Sequence, residues 1–239
     1  LLVAFLFTRD IKGLVKPTEE NGKMPSSGPV AGAVSPSTTS VLNLETSSTA
    51  AKNVINKNLA TDITVLEKSY KGANGAEKIE LAKQLAQKWD DVEQITPSAL
   101  YLEVVAEGEP SSKSWLAAGN QFIKAFESTQ DSIAQPALLQ KANASYKNAL
   151  EKDSTNIEAK TGLGVTIVNG LGAPMQGIAM LLEVVAKEPK NVKANMNLGL
   201  FSIKSGQFDK AIPRFNTVIA TAPTPEAYFY LGTALENLG

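Results

Sequence analysis

The chain has 239 residues, with 23 basic and 24 acidic side chains, a formal net charge of -1, and neither cysteine nor histidine. A near-neutral balance without a run of like charges lacks the electrostatic footprint of a nucleic-acid binder, so no nucleic-acid partner is expected. Without Cys or His there is no disulfide, thiolate nucleophile, Cys/His zinc site or Ser-His-Asp triad, and no catalytic residue, metal or cofactor is assigned; the chain is read as a non-enzyme.

Residues 1–7, "LLVAFLF", are wholly apolar and are followed by Arg9, Asp10, Lys12 and Lys16. A run this short makes about 10 Å of helix, against the ~20 residues a bilayer span needs. The chain also opens without Met. Residues 1–16 are therefore read as the end of a transmembrane or signal-anchor helix with its basic flank, and the protein as membrane-anchored. The competing reading is a helical turn packed on the body. Lys and Arg just after the run favour a cytoplasmic body, but without the preceding flank the side of the membrane, including a bacterial periplasm, stays open. Residues 17–51 are dominated by Pro, Gly, Ser and Thr. They have little to bury and are expected to form a flexible tether with an r.m.s. span of about 30 Å. Within it, Val41, Leu42 and Leu44 form the one candidate docking segment.

Helical periodicity begins near Ala51. Over residues 52–111 the spacing predicts three helices. The first carries Leu59, Ile63, Leu66 and Tyr70, and ends at "KGANG". Ile79, Ala82, Leu85, Ala86 and Trp89 line one stripe of the second. The third starts at Thr96-Pro97, where Thr can cap and Pro suits the first turn, and carries Leu100, Val104 and Val105. No stretch alternates with the period of two that a half-buried strand requires, so the fold class is all-α.

From residue 112 onward the chain repeats. Leu198-Gly199 and Leu231-Gly232 lie 33 residues apart, Leu163-Gly164 lies 35 before Leu198-Gly199, and Pro189 and Pro223 are 34 apart. A further copy opens with Trp115 and Ala118-Gly119, and its second helix is delayed to Ala142, Tyr146 and Ala149. The most legible copy, "NMNLGLFSIKSGQFDKAIPRFNTVIATAP" (195–223), holds Leu198, Gly199, Gly206, Ala211, Phe215 and Pro223 at the spacing W-x2-L-G-x2-Y…A-x3-F…P. This pattern resembles the tetratricopeptide repeat (TPR) family. Small residues at Gly199 and Ala211 suit close helix approach, Leu198 and Phe215 suit the seam, and Pro223 stops a helix by removing a donor. The units are taken as 112–156, 157–191, 192–224 and an incomplete 225–239. The first carries roughly eleven inserted residues at 127–137 by comparison with the repeat template. The second unit departs from the template too, with Gly177 where Ala is usual. Because the last unit stops in its turn, Tyr228, Leu231 and Leu235 lack a partner helix, and the sequence is read as truncated at both ends. The order of segments is similar to that of membrane-anchored TPR proteins of Bacteroidetes.

The resemblance implies a right-handed superhelix of helical hairpins, preceded by extra N-terminal helices and lined on its concave face by the first helix of each hairpin. It further implies partner contacts at Asn120, Val165, Met196, Asn197, Leu200, Lys204 and Phe229. Repeat-structural roles fall to Trp115, Gly119, Leu163, Gly164, Leu198, Gly199, Ala211, Phe215, Pro223, Leu231 and Gly232. TPR domains that hold acidic chaperone tails use Lys, Asn and Arg on that face. Val, Leu and Met stand here instead, so an apolar or helical peptide is expected rather than a carboxylate. The resulting reading is a non-enzymatic scaffold for a protein or peptide partner near a membrane, with self-assembly into a homo-oligomer as the alternative. "GLG" at 162–164 and 170–172 does not complete a dinucleotide loop, because no strand precedes it. Asp90-Asp91 with Glu93, and Glu107 with Glu109, are neighbours that do not face each other on a helix.

Overall fold

The computed structural model describes residues 42–171 and 174–239. Among these, eleven helices and no strand occur. They are α1 (Leu44–Lys52), α2 (Lys57–Gly72), α3 (Gly75–Asp91), α4 (Ile95–Gly108), α5 (Ser112–Ser128), α6 (Gln135–Lys152), α7 (Ile157–Val168), α8 (Pro174–Lys187), α9 (Val192–Lys204), α10 (Phe208–Thr221) and α11 (Pro225–Leu238).

Local sequence sets where the first helix of each hairpin begins. Asn156, Asn191 and Thr224 occupy the same repeat position, and each side chain accepts the third helical N–H, from Ala159, Ala194 and Ala227 at 2.9, 2.9 and 3.2 Å. Ser111 does the same for α5 as half of a capping box with Ser114. Such caps satisfy donors that the helix itself leaves orphaned. Between α9 and α10 the chain reverses through Gly206, whose φ of 71° lies in the left-handed region where glycine carries no Cβ penalty.

The helices then stack as an all-α solenoid. From α2 onward each packs mainly on its chain neighbours, α1 packs on α4, and the first helices α5, α7, α9 and α11 also touch in succession. The pairs are drawn together by missing side chains. A Cβ on Gly119 would stand 2.8 Å from the Tyr146 ring, and one on Gly199 would stand 2.7 Å from Phe215. Gly164 and Gly177 face each other across α7 and α8, where a Cβ on Gly177 would meet the Gly164 carbonyl at 2.6 Å. That contact explains why this unit departs from the usual Ala. The main core runs from α4 to α9 through Leu100, Phe122, Leu138, Tyr146, Val165, Leu181 and Leu198. A second gathers Ile63, Leu85, Trp89 and Tyr101 among α1–α4, and a third gathers Ala211, Phe215 and Ala234.

Several expectations change here. The tether does not extend to residue 51, because Leu44–Lys52 is helical: Asn43 caps it, accepting the Thr46 N–H at 2.9 Å, and Ser48 and Ala51 are buried. Ser48 donates to the buried Glu67, whose other oxygen takes Lys52 Nζ at 2.7 Å. Leu42 and Leu44 dock against the chain's own cores. The α4 helix starts at Ile95 with Gln94 at its N-cap, so Thr96 is not the cap. Leu59 is 41% exposed and drops out of its stripe. The inserted residues 127–137 divide between the end of α5, the non-helical connection 129–134 and the start of α6.

The membrane-anchored localisation is also corrected. Among the described residues no helix is long and apolar enough to cross a membrane. The apolar α4 and α8 have 14 residues each, about 21 Å against the ~30 Å of a hydrocarbon core. The longest, α6, has 18 residues and carries Lys141, Asn143 and Lys147 in its middle. Residues 1–16, on which the anchor rested, lie outside the described residues, as does the tether up to residue 41.

Candidate functional site

The face made by α5, α7, α9 and α11 divides into a closed half and an open half. On α5 and α7 the candidate positions are consumed internally. The Tyr146 hydroxyl donates to Asn120 Oδ1 at 2.8 Å, and Asn120 Nδ2 donates to Glu158 Oε1 at 2.8 Å. Both ends of that amide are therefore used. Val165 is 1% exposed, and Ile123 and Thr161 are buried beside it. A first helix in the middle of a stack is covered on both flanks by α5 and α9, so Val165 is a core residue and leaves the set of candidate contacts.

The α9–α11 half is open. Met196 and Leu200 are half-buried, resting on the cluster of Ala211, Phe215 and Ala234. Asn197 donates to the Lys193 carbonyl at 2.9 Å and remains half-exposed, while Lys204 is exposed at the end of α9. Phe229 is 67% exposed. Its ring meets Tyr230 edge-on at 5.3 Å between centroids, and Tyr230 in turn stacks on Phe215 at 5.9 Å. A solvent-facing aromatic thus meets a half-buried ring that in turn stacks on a buried one. Met196 and Phe229 occupy the same repeat position on adjacent first helices.

Residue-by-residue reading missed the charges on this face. Glu158, Lys193 and Glu226 share the second position of successive repeats, and Glu127 joins them from the end of α5. Lys193 Nζ lies 5.9 Å from the centre of the Tyr146 ring, within cation–π range. Burial lowers the Lys193 ammonium below its ordinary value, with Glu127 and Glu158 opposing. Desolvation raises the Glu127 carboxyl, with Lys193 opposing and Glu226 adding to the rise. Burial also raises the Tyr146 phenol, and Glu127 and Glu158 reinforce the shift. Applying the repeat register to the charged positions, and not only to Leu, Gly and Ala, would have found them.

The repeat-structural residues sit mainly in the seams. Gly119, Leu163, Gly164, Leu198, Gly199, Ala211 and Phe215 are buried, and Trp115 and Leu231 are half-buried. Pro223 is exposed just past the end of α10. Gly232 is exposed, and a Cβ there would meet nothing within 4 Å. Of the acidic residues at the ends of α3 and α4, Asp90 and Glu109 are structural ties. Asp90 accepts from Gln121 at 2.8 Å and from Lys124 at 3.0 Å, and Glu109 pairs with Lys83 at 3.0 Å. Trp89 is a core residue with no exposed surface, and its indole N–H has no acceptor among the described residues. No group of three acidic side chains there is placed to hold a metal.

No protein-family model matches the chain, and a search of curated proteins returns no match. Solved structures do resemble it. The thermophilic TPR protein TTC0263 of Thermus thermophilus is 14% identical, covers 81% of this chain and 100% of its own, and superposes with a TM-score of 0.53. MamA from residue 41 onward, of Desulfovibrio magneticus RS-1, is 18% identical, covers 69% of this chain and 93% of its own, and gives 0.50. At such identities the likeness is one of fold: this is an all-α solenoid of TPR type.

Proposed function

We propose that the chain is a non-enzymatic interaction scaffold that holds a protein or peptide partner on the α9–α11 half of its first-helix face. The observation that carries this reading is Phe229, 67% exposed and edge-on to Tyr230, which itself stacks on Phe215, on the same face as the half-buried Met196 and Leu200 and the exposed Lys204. An aromatic fixed on a rigid helix next to aliphatic and amide groups is the usual make-up of an interface anchor, because little side-chain freedom remains to be lost on binding. Asn197 supplies a rim donor and acceptor. A solenoid of this kind acts through the surface its stacked helices display.

The test is a crosslinking pull-down from the source cells, comparing the chain with a Phe229→Glu/Lys204→Glu variant. Both residues are exposed, so helicity should be unchanged. A partner recovered by the first and lost by the second supports this face as the binding site. Recovery of the same partners by both would move the site elsewhere. Self-assembly is the alternative, and light scattering over a concentration series separates the two, since only self-assembly raises the mass without a partner.

A further inference from the structure

The sequence has two arginines, Arg9 and Arg214. Arg214 stands in a cleft of ≈510 Å³ between the second helices α8 and α10, walled by Val185, Pro189 and Pro213 and rimmed by Asp209 and Lys210. Its guanidinium is aimed by a buried amide. Arg214 Nη1 donates to Asn195 Oδ1 at 3.1 Å. Asn195 is 1% exposed, and its Nδ2 donates to the Pro189 and Asn191 carbonyls at 2.9 Å each. Both ends of the amide are therefore tied, and it orients the arginine. Among the described residues Arg214 makes no other hydrogen bond and no ion pair, so most of its fork of donors faces the cleft unused.

The preceding hairpin answers its cation from within. Lys160 holds the repeat position of Asn195 and pairs with Glu183 on α8. The position equivalent to Glu183 on α10 is Thr217, whose hydroxyl donates to the Pro213 carbonyl at 2.9 Å. The third hairpin thus carries a guanidinium in this place and lacks the carboxylate. Lys210 is tied to Gln207 Oε1 at 2.6 Å, and Asp209 lines the cleft without pairing with Arg214. Two cations against one carboxylate leave a single net positive charge. A guanidinium presents paired N–H groups that match the two oxygens of a carboxylate. One net charge neutralises such a monoanion, whereas a dianionic phosphate would stand in excess beside Asp209. The proline and valine walls suit the carbon atoms of a peptide better than a hydrated ion.

We infer that this cleft is a binding site for the carboxylate of an acidic peptide, taken by the free donors of Arg214 while Asn195 holds the guanidinium in place. It lies on the second helices, apart from the first-helix face that carries Phe229, and each stands or fails alone.

Two arginines make the test direct, because isotope-labelled arginine gives one side-chain Nε–H resonance from each. The probes are N-acetylglutamate α-methylamide, whose only acid is in its side chain, and N-acetylglycine, whose only acid is terminal. N-acetylglutamine methylamide is the neutral control and methyl phosphate the dianionic one. The two acids should shift Arg214 saturably with millimolar Kd while Arg9 stays as it is with the neutral control. The tighter of them identifies the source as a side chain or a chain end. In variants, binding is followed at the Thr217 backbone amide. Arg214→Lys should weaken it roughly tenfold, since an ammonium keeps the charge and loses the fork. Asp209→Asn should tighten it roughly two- to fivefold by removing a competing carboxylate. Circular dichroism verifies that both variants are folded. Parallel shifts of Arg9 and Arg214 overturn the inference, as does a neutral control that acts like the acids. Tighter binding of methyl phosphate overturns it too, as does an Arg214→Lys variant that binds the acids as well as the parent.

Discussion

Replacing Gly177 by alanine isolates the close approach of α7 and α8. In an ordinary helix interior this change stabilises by about 1 kcal/mol, because alanine is the better helix former. At this position the added Cβ would lie 2.6 Å from the Gly164 carbonyl oxygen, 2.9 Å from the Val168 nitrogen and 2.8 Å from Val168 Cγ2. Two of those atoms are backbone, so relief requires the helices to move apart, which also loosens Leu181 against Gly164. Overpacking of this kind costs roughly 2–3 kcal/mol. Set against the propensity gain, the net loss is about 1–2 kcal/mol. For a chain of this size that is a fall in melting temperature of about 2–8 °C. Thermal and urea unfolding followed by far-ultraviolet circular dichroism measure it, with Gly232→Ala as the paired control. There the propensity gain acts alone and stability should rise by up to ~1 kcal/mol. A Gly177→Ala variant as stable as the parent would refute the reasoning, because the glycine would then be incidental to the packing.

Two further outcomes follow from other sites. Glu93 has a φ of 56° while its neighbour Gln94 donates to the Trp89 carbonyl at 2.9 Å, a left-handed end to α3 that glycine adopts more readily. Glu93→Gly should therefore raise the urea midpoint by the equivalent of about 0.5–1 kcal/mol, and a fall would show that the glutamate side chain contributes something its contacts do not reveal. Asp90 has its carboxyl held below the ordinary value by hydrogen bonds from Gln121 and then Lys124. A folded-state value below the unfolded one adds stability above the unfolded carboxyl range near pH ~4, and loses it as pH falls through the folded value. Its side chain is 40% exposed, so solvent screening keeps the contribution under about 1 kcal/mol. Urea midpoints should place Asp90→Asn below the parent at neutral pH and level with it under strong acid. A gap that persists in acid would assign the effect to packing.

What was legible in the sequence was whatever recurs. The spacing of Leu198-Gly199 and Leu231-Gly232 placed the helices from residue 112 onward, because helix pairs of fixed size must reuse the same small and large residues at their seams. Features that occur once were hidden. Residues 44–51 look like tether by composition, yet Ser48 is helical and buried because its hydroxyl meets Glu67, a partner 19 residues away. Val165 looks like a groove residue by register, but register alone does not say how tightly α5 and α9 close over α7. Tyr146 reads as a seam aromatic, and only the structure shows its hydroxyl joining Asn120 and hence Glu158. The open aromatic Phe229 was legible by register, whereas its edge-on contact with Tyr230, and the stack of that ring on Phe215, required coordinates.

The order of contacts along the stack also governs how the chain acquires its structure. From α5 onward, helices make their substantial contacts with those one or two places further along. Every closure therefore spans a short loop, the entropic cost of each is small, and the contact order is low, which places such a chain among fast folders. No distant segment has to arrive before a pair can close. On a ribosome, α5 and α6 can pair once residue 152 has cleared the exit, and α7 and α8 can then add to a finished surface. Synthesis and folding proceed in the same direction, and a pause in translation leaves a shorter stack whose completed pairs are already folded.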